Sequence, residues 1–203
     1  MPRPRSLTHT ALATAALAVI DRDGLGALSM RAVATELGMA TMSLYRYVTD
    51  RHQLEGLVVE LVLAEVDITP PPGLPWQAQV TALVDRVRAA VGAHPEVVPL
   101  TMTHRHTSLS LHRWTEAVLT VLTAAGFTGR PRVLALRAVL AHTVGSLQMQ
   151  HLGSLAGPGT AVMTALSPDD YPLLAETART ARPIPPDEEF HHGLAALLTG
   201  LAR

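Results

Sequence analysis

Apolar residues recur at intervals of three and four along most of the chain, and helix breakers cut the pattern into segments. Leu12, Ala16, Val19 and Ile20 form a first stripe, which Ser6 is placed to cap and which stops near Asp21, before "DRDG" with Gly24 suited to positive φ. Ser29 predicts the cap of a short second helix, and a third is expected over about Ala40 to Tyr47. Asp50 with Gln53 three residues on makes a capping-box pattern, opening a helix whose Leu54, Leu57, Val58 and Leu61 share a face. "TPPPGLP" then breaks the chain. Trp76, Val80, Leu83, Val84, Val87 and Val91 carry the next stripe, which ends at His94-Pro95. Further helices are predicted from about Ser108 to Ala125 and from about Pro131 to Leu152, and "GSLAGPG" reads as a mobile loop. "SPDDYP" and "PIPPDEEF" open two more, the last with Phe190, Leu194, Leu197, Leu198 and Leu201 on one side. No run alternates with the period of a strand, so the predicted fold is all-α.

One segment departs from this economy. In "LSMRAVATELGMATMSLYRYV", Val33, Leu37, Met39, Leu44 and Val48 can face a common core, while Ala34 and Gly38 stand four apart. Two short helices crossing steeply need a small residue where they touch, and the turn between them needs a residue at positive φ. Thr41, Met42, Ser43, Tyr45, Arg46 and Tyr47 are then left over from packing. Phenols can bond phosphate and pack on sugar, threonine and methionine methyls can meet a thymine methyl, and an arginine fork can pair with guanine or phosphate. The chain has only three tyrosines, and two of them flank Arg46 here, as suits a helix lying in a DNA major groove.

Composition changes the picture only at the edges. The 203 residues contain no cysteine, which excludes disulfides, thiolate metal centres and cysteine nucleophiles. The net charge of −1 is unevenly spread: residues 1–51 carry +2 and residues 52–203 carry −3, so the amino-terminal quarter is the basic end. The apolar run after Arg3 and Arg5 has helical spacing rather than the form of a signal peptide, and no stretch reaches the ~18 unbroken apolar residues of a spanning helix. A cytoplasmic protein without a membrane partner is expected.

With "LSMRAVATELGM", "MSLYRYV" and "DRHQLEGLV" in order and at matching spacing, residues 7–65 resemble the amino-terminal domain of the tetracycline-repressor (TetR) family of transcriptional regulators. The resemblance implies an amino-terminal three-helix helix-turn-helix DNA-binding domain over 1–49. It also implies a larger carboxy-terminal helical domain over 50–203 that dimerises and binds a small molecule. The family's DNA-contacting positions fall on Ser29, Arg31, Thr41, Met42, Ser43, Tyr45, Arg46 and Tyr47, with Arg51 facing phosphate and Arg3 and Arg5 as an arm or a disordered tail. The partners implied are double-stranded DNA with a pseudo-palindromic operator, a small organic effector and a second copy of the chain, for a ligand-released repressor. An activator or ligand-independent regulator of the same fold remains the alternative.

"LPWQAQVTALVDRVRAAVGAHPEVVPL" resembles the start of the effector domain in the tetracycline-repressor branch. By that resemblance the helices Pro131 to Leu152 and Asp187 to Leu201 would form a four-helix dimer interface, although the Phe190 stripe can equally pack inside one subunit. Met102, Trp114, Val118, Leu122, His142, Leu147, Met149 and His151 are candidates for a mostly apolar effector cavity. Ten histidines raise the question of a metal or of a histidine-based enzyme using His104, His106 or His142. They show neither HExxH nor an i, i+4 histidine pair, and the tetracycline-type metal ligands align with Thr101 and with Met149 or Gln150. No metal, no cofactor and no catalysis are therefore expected.

Overall fold

The computed structural model describes residues 7–153 and 158–202, and every described element is helical. The chain divides into two compact units, Met1–Thr69 with Asp85–Ala117, and Pro70–Val84 with Val118–Arg203.

In the first unit α1, His9–Asp23, packs on α2, Met30–Glu36, and on α4, Arg51–Leu63. Leu12, Ala16, Val19 and Ile20 of α1 are fully buried, as the stripe predicted. The cap is Thr8, whose Oγ1 accepts from the Ala11 amide at 3.1 Å, while the predicted Ser6 lies outside the described residues. The helix continues to Asp23 because Arg22 bonds Asp23 and Glu36 at 3.0 and 2.9 Å, which ties the end of α1 to α2. Gly24 then turns the chain at φ +84°.

α4 buries Leu54, Val58, Val59 and Leu63, with Leu57 and Leu61 only half-buried. Its buried face is rotated from the predicted one because it packs both on α1 and on α6, Val98–Thr103. No helix was predicted for this segment, between the break at His94-Pro95 and the helix from about Ser108. Pro99 sits in the first turn of α6, where the missing amide proton would have had no partner anyway. α5, Trp76–Gly92, and α7, Leu109–Ala124, contribute residues to both units.

In the second unit α8, Gly129–Leu152, packs on α11, Pro186–Leu201. Phe190, Leu194 and Leu198 are buried there and Leu197 and Leu201 half-buried, so the predicted stripe holds with its centre on the first three. Trp76 meets Phe127 edge-on at 5.2 Å. α9, Pro158–Thr164, packs on α10, Pro172–Ala181. The predicted loop "GSLAGPG" lies largely outside the described residues, and its last two positions open α9.

Candidate nucleic-acid interface

The first helix of the interface is set by its caps. Ser29 is extended and its Oγ accepts from the Ala32 amide at 3.1 Å, so the hydroxyl proton stays available to a phosphate oxygen. At the other end Gly38, φ +64°, donates its amide to Thr35 O at 3.0 Å, and Met39 donates to Ala34 O at 2.9 Å. These two bonds make a Schellman motif, which satisfies the last carbonyls of α2 and reverses the chain. Ala34 is buried beneath the turn, as its small size suggested.

α3, Thr41–Leu44, is shorter than the helix expected to reach Tyr47. Ala40 provides no side-chain cap, and after Leu44 the chain tightens: Tyr47 donates its amide to Leu44 O at 2.9 Å, and Val48 to the same oxygen at 3.3 Å. Leu44 and Val48 are buried with Val33, whereas Leu37 and Met39 are half-buried. The residues between face outward. Met42 is 77% exposed and Tyr45 46%, Arg46 is exposed, and Thr41, Ser43 and Tyr47 are half-buried at the edge of the same surface. An exposed methionine beside an exposed tyrosine has no packing rationale in a lone chain; it fits a partner that offers both apolar and anionic groups.

α4 follows after a clamped joint. Asp50 caps it through the Gln53 amide at 2.8 Å, and Gln53 Oε1 accepts from the Thr49 amide at 2.7 Å, one residue earlier than in the usual capping box. Arg31 is exposed on α2. Arg51 is exposed too, but its guanidinium bonds Glu55 at 2.7 Å and Leu25 O at 3.2 Å, so a phosphate contact has to share or displace those partners. Arg3 and Arg5 lie outside the described residues.

The candidate effector residues are less gathered. Met102, half-buried on α6, and buried Trp114 belong to the first unit, and the other six to the second. Val118, Leu122 and Leu147 are buried. Met149, two positions past Leu147 on α8, is turned outward. Within the second unit His142 and Met149 line one groove of about 400 Å³ between α8 and α11, with Gly145, Gln150, Glu189 and Phe190. His142 Nε2 lies 3.0 Å from Phe190 O, which makes that nitrogen the donor, and the ring lies over Gly193, where a Cβ would stand 2.7 Å from it. Much of His142 is thereby committed to the helix crossing. His151 is half-buried at the end of α8.

The family described as bacterial regulatory proteins of the tetR family matches residues 12–54, and the tetracyclin repressor-like carboxy-terminal domain matches residues 69–203. The chain is 31% identical to an HTH-type transcriptional regulator of Saccharopolyspora erythraea, over 83% of this chain and 74% of that one. It is 29% identical to the HTH-type transcriptional repressor DrrR1 of Streptomyces coeruleorubidus, over 98% and 78%. Among solved structures it is similar to ActR of Streptomyces coelicolor in complex with actinorhodin, at 25% identity, with 98% and 96% of the two chains covered and a TM-score of 0.81.

Proposed function

This chain belongs to the TetR family of bacterial regulatory proteins, and we propose that it represses transcription as a homodimer released from a pseudo-palindromic operator by a small organic molecule. It is a helix-turn-helix transcriptional regulator, as its relatives are. None of its described helices is long and apolar enough to cross a membrane.

The observation that carries the DNA reading is the outward display of Met42, Tyr45 and Arg46 on α3 and the turn after it, anchored by buried Leu44 and Val48. In this reading Thr41, Met42, Ser43, Tyr45, Arg46 and Tyr47 meet bases and sugars, and Ser29, Arg31 and Arg51 meet phosphates. Residues 1–49 are the reading head and 50–203 the effector-binding and dimerisation domain. One short helix reads few base pairs, so two copies about 34 Å apart are required for useful specificity. The outward Leu134, Met149 and Leu152 of α8, with the groove beside α11, support pairing with a second copy there.

Within the second unit, the buried apolar Val118, Leu122 and Leu147, with His142 and His151, suit a medium-sized and largely apolar effector. That ActR has been solved with actinorhodin supports an organic molecule of this kind. The effector acts by favouring a spacing of the two reading heads that no longer fits the operator, a coupling typically of ~1–3 kcal/mol. Selecting bound duplexes from a random DNA pool tests the reading. An enriched pseudo-palindrome is expected, whose affinity for the protein then reports on candidate effectors; no enrichment from folded protein at low and moderate salt would overturn it.

A further inference from the structure

His104 is the one histidine among the described residues that is fully buried, at 3% exposure, although its neighbours Arg105 and His106 face solvent. It ends α6 and is turned onto the first turns of α4, where Gly56 receives its ring: a Cβ on Gly56 would stand 3.3 Å from Nδ1. The ring's other nitrogen, Nε2, points at Glu55 Oε2, 3.5 Å away, too far for a good hydrogen bond. His52, three residues before Glu55 on the same helix face, brings Nδ1 to 4.0 Å from that oxygen, and the two imidazole centres are 4.3 Å apart. Two imidazoles and a carboxylate oxygen thus converge, each offering a ligand atom within 4.8 Å of the others.

We propose that His52, Glu55 and His104 bind a divalent transition metal of the Zn²⁺ class. A buried imidazole that meets a carboxylate only at 3.5 Å, with a second imidazole beside it, leaves a gap that an ion at ~2.0–2.2 Å from each atom would bridge. Two nitrogens and one carboxylate oxygen favour Zn²⁺, Co²⁺ or Ni²⁺ over the hard cations Mg²⁺ and Ca²⁺. The three ligands leave a fourth position for water.

The surroundings are those of a metal site. Glu55 is largely buried, and its second oxygen is held by Arg51 Nε at 2.7 Å, which fixes the orientation of Oε2. His104 is held by the packing around Gly56. His52 is two-thirds exposed and free to swing inward by the ~1 Å that tetrahedral coordination asks for. A groove of about 430 Å³ lined by Gln53, Glu60, Thr107 and Ser108 gives the ion access from solvent. Bound metal would staple the end of α6 to the first turn of α4.

The test uses the full chain, stripped with chelator, and Co²⁺ or Zn²⁺ alone as the probe, without DNA, so that its outcome is separate from that of the operator reading. Saturable binding of one ion per chain is expected, with the visible bands of four-coordinate Co²⁺ and a melting temperature that rises with metal concentration. His52→Ala removes only an exposed side chain and should weaken binding at least tenfold and abolish those bands. His104→Gln should do the same if it folds. Absence of saturation by millimolar metal would overturn the proposal, and so would a His52→Ala variant that binds like the wild type, since it would place the ion on other histidines.

Discussion

At the scale of single residues the backbone, more than the contacts, decides what is tolerated. Gly38 sits at φ +64° with open space where a Cβ would go, so a substitution there meets conformational strain rather than a clash. We expect Gly38→Val to cost about 1–3 kcal/mol and Gly38→Asn, whose side chain tolerates that region, much less. Equal melting temperatures for the two variants would show that the turn does not depend on this conformation. Asp67 illustrates an electrostatic constraint: the hydrogen bonds of Thr69, first its backbone amide at 2.9 Å, and then the Arg86 guanidinium at 3.0 Å hold its carboxyl below the ordinary carboxylate range. A depressed folded-state value means that the contribution is complete above the unfolded-state value and disappears as pH falls through the lower one. A carboxyl titration followed by NMR should therefore place Asp67 below the exposed carboxylates, and Arg86→Ala should raise its midpoint.

At the scale of elements, the sequence was most legible where local chemistry and burial agreed. Ser29 and Asp50 cap the helices they were expected to cap, the stripe of α1 buries the residues that periodicity selected, and that of α11 buries Phe190, Leu194 and Leu198 of its five. It was least legible around α6, where no helix was read although Pro99 sits in the first turn and costs the helix nothing. The shortened α3 escaped notice for another reason: Leu44 and Val48 keep helical spacing even though the turn between them tightens. His52, Glu55 and His104 gave no joint signal, because His104 is about fifty positions from its neighbours and only the packing of α6 on α4 brings them together. The caps can be weighed against the core. Asp50→Ala should cost ~1 kcal/mol and Leu54→Ala, fully buried in the same helix, ~2–5 kcal/mol in denaturant unfolding. The reverse order would mean that α4 is held by its end rather than by its face.

At the scale of the whole molecule the DNA reading makes a quantitative demand. A surface that neutralises phosphates must lose affinity as salt rises, in proportion to the number of charges it supplies. Arg46→Ala should leave the melting temperature unchanged, since the side chain is exposed, and weaken operator binding by ~1–3 kcal/mol if it reads a guanine. If Arg46 meets a phosphate instead, the loss should be alike for every sequence and the salt slope should fall by about one. Affinity and slope both equal to the wild type would remove Arg46 from the interface.

The amino-terminal reader does not carry all of its own fastenings. Asp21, near the end of α1, is bonded by His94 Nδ1 at 2.8 Å, and the Leu25 amide donates to Glu96 at 3.1 Å. Both partners arrive about seventy residues later in the chain. Recombination between relatives at a crossover just after Thr49 would therefore transplant a head without the residues that hold its first corner, and the host's segment at 94–96 would meet a surface it was not selected with. Chimeras that carry residues 94–96 along with the head should keep the fold of the donor, and those that cut cleanly in sequence should not, so the first corner of this chain is inherited as two separated stretches rather than one.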